Sequence, residues 1–315
     1  MPWLSFVILA ISLLGLWIGT NYAVNKGIKI AKYLGFSEFF IGLTIISIGT
    51  DLPELVVSVT GAIHKLEGEE TSGLIVGNAI GSCLGQMGLA LGIAGLFSRI
   101  NIDKKEVFRD GLVMGVSTFV LMVLASDGFI SRVEGVLLMV IFLVYTSVLL
   151  SQEKTKRTTK RKIVFSEISR ITLQLLFGLA IVIYSSNWTI KSALDIATHY
   201  HIRQSIIGIF IIGLGTSLPE IAVAVGGLLK GSAALSGGTI IGSTIFDILV
   251  PIGLSASIST LKFDIRIADF DIPAFLIIAL LEFSFFITRK GISKPEAAIL
   301  LAIFFLYSWL KISQF

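Results

Sequence analysis

What this 315-residue chain lacks narrows it before any motif is read. Charged residues make up only 15% of it, against about a quarter in soluble domains, which sets aside an ordinary soluble or disordered protein. A single cysteine, Cys83, excludes an intramolecular disulfide and leaves the redox compartment unread. The three histidines (His64, His199 and His201) fall at segment boundaries without converging cysteines, which argues against a zinc centre. No Gly-rich loop ending in Lys-Ser or Lys-Thr is present, so nothing points to an ATP-driven motor. Nor is there an aspartate-rich motif for a magnesium-diphosphate substrate, or a histidine partnering a serine or Cys83 within the membrane, as an intramembrane lipid transferase or protease would need.

What is present is apolar. The chain is 54% hydrophobic with a mean hydropathy of +0.91, and spanning a bilayer takes ~20 such residues. Ten segments qualify, near 4–24, 37–63, 71–97, 108–127, 132–151, 167–186, 203–229, 235–260, 270–288 and 294–312. The first has neither a basic start nor a clear cleavage site, so it reads as a retained helix rather than a signal. With the N-terminus outside, 17 Lys and Arg fall in inner loops and seven outside, which places both termini extracytoplasmic. The basic linker Lys154–Lys162 is then cytoplasmic, and the net charge of +4 reflects topology beside anionic lipid rather than nucleic-acid binding.

The chain also repeats itself. Gly49-Thr50-Asp51-Leu52-Pro53-Glu54 returns 166 positions later as Gly215-Thr216-Ser217-Leu218-Pro219-Glu220. The same shift pairs Asn21 with Asn187, Ala31 with Ala197, Gly42 with Gly208 and Gly61 with Gly227. A second pair follows: Gly81-Ser82-Cys83-Leu84-Gly85-Gln86 and Gly242-Ser243-Thr244-Ile245-Phe246-Asp247. Five helices separate equivalent points, so the second copy enters from the opposite face. The expected architecture is an all-α integral membrane protein of ten transmembrane helices in two inverted-topology five-helix repeats, residues 1–151 and 167–315, joined by the linker 152–166.

Proline and glycine at mid-span predict a broken helix, and a broken helix in lipid survives only where a neighbour, water or a cation satisfies its freed carbonyls. Glu54 and Glu220 stand at the two breaks, and intramembrane carboxylates usually face a cavity and carry function. Ser82 with Gln86, and Ser243 with Asp247, are spaced to share a helix face, and Gly77, Gly81, Gly85, Gly237, Gly238 and Gly242 suit close helix approach. One site gathering Glu54, Glu220, Asp247, Asp51, hydroxyls and an amide suits a hard cation such as Ca²⁺ or Na⁺. A membrane serine also bonds back to its own helix, and Gln86 reads equally as packing or as site lining. Cys83 reads as a small buried residue.

The duplicated GTxLPE elements, each followed by Gly-Ser and a polar residue, resemble the alpha repeats of the cation/calcium exchanger superfamily, closest to its prokaryotic sodium/calcium exchangers. The alpha repeats would be 42–92 and 208–253. The resemblance implies antiport of Ca²⁺ against Na⁺ at a midplane carboxylate site of a cell-membrane protein, with the ions as cargo and no cofactor. It implies Glu54 and Glu220 as central ligands, Thr50 and Thr216 as ligand oxygens for Ca²⁺, and Ser47 and Gly213 as carbonyl donors. Ser82 and Ser243 would line the outer Na⁺ position, Ser217 the inner one, and Asp247 would stand beside the centre. Repeat one departs from the pattern at Asp51, where serine is usual, at Cys83 and at Gln86. Asp51 either carries a proton, binds an extra cation or faces away, so H⁺ or K⁺ coupling stays an alternative to Na⁺. A channel is the remaining alternative, although channels commonly build acidic rings by oligomeric symmetry and need no inverted repeat.

Overall fold

The computed structural model describes residues 2–33, 47–97, 104–152, 165–218, 220–221, 233–289 and 292–313. The apolar approach Ile41–Ile46, Pro219, Gly227 and the basic linker lie outside these residues, as do the side chains of Ser47, Gly237 and Gly238. The helices, in chain order, are α1 (Pro2–Tyr33), α2 (Ser47–Thr50 and Leu52–Leu66, interrupted at Asp51), α3 (Ser72–Phe97), α4 (Lys104–Leu124) and α5 (Arg132–Gln152). Then follow α6 (Phe165–Tyr200), α7 (Gln204–Thr216), α8 (Ala233–Ile258), α9 (a π turn Ile267–Asp271 leading into Ile272–Arg289) and α10 (Lys294–Ser313). Two short strands, β1 (Phe129–Ile130) and β2 (Leu261–Lys262), pair antiparallel.

This is an all-helical, multi-pass membrane protein. Seven described helices, α1, α3, α5, α6, α8, α9 and α10, are long and apolar enough to cross a bilayer, and α4 equals them in length at 21 residues. Their apolar faces point outward: Trp3, Ile11, Leu173, Phe177 and Trp309 are exposed, as lipid-facing side chains are. α6 was expected to end near residue 186 but continues to Tyr200, and α1 runs to Tyr33 rather than 24. The reason is mutual support. The two helices pack along each other, with Gly19 and Gly178 at the contact and Thr189 Oγ1 donating to Ser12 Oγ at 2.9 Å. At ~1.5 Å per residue α6 is about 54 Å long, longer than the ~30 Å hydrocarbon layer.

Helix contacts follow a two-fold rule. α1 packs on α6 and α4 on α9; α2 packs on α8 as α7 does on α3, and α5 packs on α8 as α10 does on α3. Exchanging each helix with the one five places along returns the same set. α3 and α8 end up innermost, with about four-fifths of their apolar windows buried against under a third for α1 and α6. The polar residues of both repeats' second motifs therefore sit at the centre of the bundle.

A second duplicated pair, not anticipated from the motifs, ties the outer helices. Asp110 on α4 accepts from Tyr145 Oη on α5 at 3.2 Å and Asp271 on α9 accepts from Tyr307 Oη on α10 at 2.8 Å. The chain shifts, 161 and 162 positions, match the 161 that separates Ser82 from Ser243, so the signal was present in the sequence. Each aspartate also has a cation, Arg109 beside Asp110 and the buried Lys311 at 2.5 Å from Asp271.

Candidate functional site

Both duplicated elements break their helices in the same way. Asp51 has φ −79° and ψ 3°, and Ser217 has φ −80° and ψ 1°. Each interrupts helical geometry and then restarts it, since Leu55 N donates to Asp51 O at 3.2 Å and Ile221 N to Ser217 O at 3.0 Å. Pro53 sits in the first turn of the restarted α2, where its missing amide proton costs nothing. The loose carbonyls are engaged: Gly213 O accepts from Ser217 N and Oγ, and Glu54 O accepts from Asn78 Nδ2 at 3.1 Å. Asn78 was not anticipated. As the one amide of the innermost apolar stretch before Ser82, it spans the helices, giving a second bond to Ser58 Oγ and lying 3.3 Å from Thr216 Oγ1.

Glycine sets the depth at which the breaks meet α3. A Cβ on Gly81 would lie 2.3 Å from Ile209 O, and one on Gly213 2.6 Å from Asn78 O, so α3 and α7 touch backbone to backbone. Gly77 and Gly208 interlock in the same way. Gly242 does not: among the described residues nothing lies within 4 Å of a Cβ there, so its expected close-packing role is not seen. Both contacting helices carry a π segment, Gly85–Ala90 in α3 and Gly208–Gly213 in α7, a distortion frequent at functional sites.

Eight of the expected residues converge here, fully buried: Asp51, Glu54, Glu220, Asp247, Ser82, Ser217, Ser243 and Gln86. Thr50 and Thr216 are buried at the preceding positions. One side of the cluster is a continuous hydrogen-bond chain. Ser82 Oγ lies 2.6 Å from Asp247 Oδ2, 2.6 Å from Ser217 Oγ and 3.4 Å from Glu54 Oε1. Ser217 Oγ also reaches Glu54 Oε1 at 3.1 Å, and Gln86 Nε2 donates to Asp247 Oδ2 at 3.1 Å, so Gln86 lines the cluster rather than merely packing. On the other side Asp51 faces Ser243 and Glu220, so it does not turn away. Both carboxylates there and Ser243 Oγ have no hydrogen-bond partner. Cys83 is buried with its thiol toward Thr244 O, a packing position as expected.

The electrostatics are one-sided. The four carboxylates lie within reach of one another's charge, and among the described residues no lysine or arginine pairs with any of them. Among the described residues no three acidic, His or Cys side chains are drawn together tightly enough to fix one ion; hydroxyls and an amide lie between them. Buried anions without a counter-charge are untenable alone, and a mixed carboxylate, hydroxyl and amide lining is hard-cation chemistry.

The sodium/calcium exchanger protein family matches residues 4–151 and 170–313, both duplicated elements included. The chain belongs to this family. A putative antiporter, CaxA of Alkalimonas amylolytica, is 30% identical over 98% of both chains. The sodium/calcium exchanger MaX1 of Methanosarcina acetivorans is 26% identical, covering 95% of this chain and 96% of its own. The solved sodium-calcium exchanger NCX_Mj, soaked with Na⁺ and Sr²⁺, superposes with a TM-score of 0.65 at 26% identity over 97% of this chain and 98% of its own. The chain's relatives are ion exchangers rather than enzymes.

Proposed function

We propose that this exchanger-family chain is a secondary active antiporter that moves Ca²⁺ against Na⁺ by alternating access at a single carboxylate site near the membrane midplane. The observation that carries the reading is the pairing of two equivalent helix breaks around four fully buried carboxylates with no basic partner among the described residues. Glu54 and Glu220 act as the ligands shared by Ca²⁺ and Na⁺, with Thr50 and Thr216 adding oxygens. Ser82, Ser217 and Ser243 serve Na⁺, Ser47 and Gly213 offer carbonyls, and Asp247 with Gln86 closes the centre.

The architecture behind this reading is ten transmembrane helices in two inverted repeats. Its support is the two-fold contact rule together with the duplicated Asp–Tyr ties. In this arrangement the linker is cytoplasmic, both termini are extracytoplasmic and the protein resides in the cell membrane. The names of its relatives favour Na⁺ as the driving ion. Asp51 in the cluster supports a second reading, in which H⁺ accompanies or replaces Na⁺. Radiolabelled Ca²⁺ uptake into proteoliposomes under imposed Na⁺, H⁺ or K⁺ gradients decides between them. An outward Na⁺ gradient should drive uptake, and Ca²⁺ flux with no counter-ion requirement would overturn antiport.

A further inference from the structure

Glu282 lies outside the central cluster and has no role in the function proposed above. It sits in α9 on the buried stripe Asp271, Phe275, Ile278, Ala279, Glu282 and Phe286, while Ile277, Leu280 and Ile287 face outward. Its side chain is fully buried, and neither carboxyl oxygen has a hydrogen-bond partner.

The helices around α9 are α3, α4 and α10, and among their described side chains the ionisable groups that turn inward are otherwise engaged. On α4, Arg109 pairs with Asp110, which also holds Tyr145. On α10, Glu296 is bonded by Ser293, and Tyr307 and Lys311 are held by Asp271 of α9 itself. The buried stretch of α3 offers only Cys83 and the amide of Gln86, whose Oε1 is a further unpartnered buried atom. None of these groups hydrogen-bonds or ion-pairs with Glu282.

α9 runs beside α3 in the same direction. Gly73 and Ile267 line one cavity of about 430 Å³ at the shared end, and α10 returns antiparallel along α3, Gly88 meeting Phe304 and Gly95 meeting Ala297. At ~1.5 Å per residue, Glu282 lies roughly level with Gln86 or up to two turns beyond it. It is a buried carboxyl of α9, next in sequence to Phe283, which packs on Gly111 of α4.

A carboxylate ion cannot persist in such surroundings without a donor or a counter-charge. Na⁺ and Ca²⁺ do not fit either, since each needs several oxygens and Glu282 stands alone. The only cation a solitary carboxylate can hold there is a proton. We propose that Glu282 is a proton-binding site on α9, separate from the central cluster, whose loss of that proton at alkaline pH loosens the α9 contacts with α3 and α4 and slows exchange.

The proposal rests on the antiporter reading only for its transport arm. Infrared spectroscopy of the purified protein should show a free carboxylic acid C=O band at neutral pH that is lost in Glu282→Gln, kept in Glu282→Asp, and titrated away at high pH in the wild type. In proteoliposomes, wild-type Na⁺-driven Ca²⁺ uptake should fall several-fold between neutral and alkaline pH, while Glu282→Gln, unable to lose a proton, should fall far less. A neutral-pH spectrum unchanged by Glu282→Gln, or identical alkaline falls in both proteins, would overturn it. Absence of Na⁺-driven uptake at every pH would count against the antiporter reading, and the wild-type spectrum would still decide the proton site.

Discussion

The two duplicated breaks share one backbone but not one chemistry. Around Ser217 the hydroxyls of Ser82 and Ser217, the amide of Gln86 and the carboxyls of Glu54 and Asp247 form a closed chain of hydrogen bonds. Around Asp51, the equivalent position, two carboxylates and Ser243 crowd together, and none of their oxygens sits in good hydrogen-bond geometry. The replacement of a serine by an aspartate accounts for the difference. Ser217 brings a donor that links its neighbours, whereas an ionised aspartate brings two more acceptors and no donor. One half of the cluster is linked within the protein, though Glu54 Oε2, Asp247 Oδ1 and Gln86 Oε1 stay open, and the other half leaves every carboxyl oxygen open to a cation. A transport site benefits from both, one half keeping the geometry and the other drawing in the ion.

The sharpest way to break this comparison is to remove charge from each half in turn. Glu54→Gln and Glu220→Gln should each abolish Ca²⁺ exchange in proteoliposomes while the protein still inserts and purifies as a monodisperse species. A divalent ion must shed most of its water here, and an amide oxygen cannot replace the lost charge. Near-normal exchange by either variant would remove that glutamate from the site.

The outer ties of the two repeats differ in the same spirit. Lys311 and Asp271 are both essentially inaccessible, whereas Arg109 is a third exposed beside Asp110. Lys311→Met strands a buried carboxylate and should cost about 3–5 kcal/mol, read as a large drop in thermal unfolding temperature in detergent. Arg109→Met should cost about 1 kcal/mol or less, because water can take the guanidinium's place. Equal effects would mean that the difference in burial does not separate the two ties.

Much of this was readable from the chain, for identifiable reasons. The breaks and their glutamates were legible because Gly, Pro and Glu inside an apolar run have few other uses, and duplication doubles the signal. Helix spacing put Ser82 with Gln86 and Ser243 with Asp247 on shared faces, whereas Ser217 came from the family resemblance. Asn78 escaped because an amide in a small-residue helix reads as packing until its partners on α2 and α7 are seen. The extent of α6 was missed because polarity sets in at Asn187, and it is packing on α1 and α2, with Asn187 Oδ1 2.6 Å from His64 Nε2, that carries the helix onward. Glu282 was passed over because it has no counterpart in repeat one: Leu121 stands 161 positions before it.

A finer test compares the serines themselves. Ser217→Ala removes the hydroxyl that joins Glu54 to Ser82, leaves buried acceptors unmet and should destabilise the protein by about 1–3 kcal/mol. Ser243→Ala removes a hydroxyl that holds no well-formed hydrogen bond, so stability should hold within about 0.5 kcal/mol. Its effect should instead appear as a higher Na⁺ requirement for exchange. Thermal unfolding and Na⁺ titration of both variants separate the two outcomes, and an unfolding cost for Ser243→Ala as large as that for Ser217→Ala would erase the contrast.

The smallest expected change comes from making the halves alike. Asp51→Ser restores a hydroxyl at the position where repeat two has Ser217, with the backbone already in the matching conformation. Three carboxylates remain, including both glutamates, so Ca²⁺ exchange should survive. The wild-type cluster has four acids at close quarters, more negative charge than one Ca²⁺ or a few Na⁺ can balance, so protons must compete with metal ions for it. Removing one acid relieves that competition. Exchange by Asp51→Ser should therefore depend less steeply on pH than the wild type, with an altered Na⁺ dependence, while any alkaline fall due to Glu282 stays in place. If both profiles match the wild type, Asp51 takes no part in ion or proton binding, and the asymmetry of the cluster is a matter of structure alone.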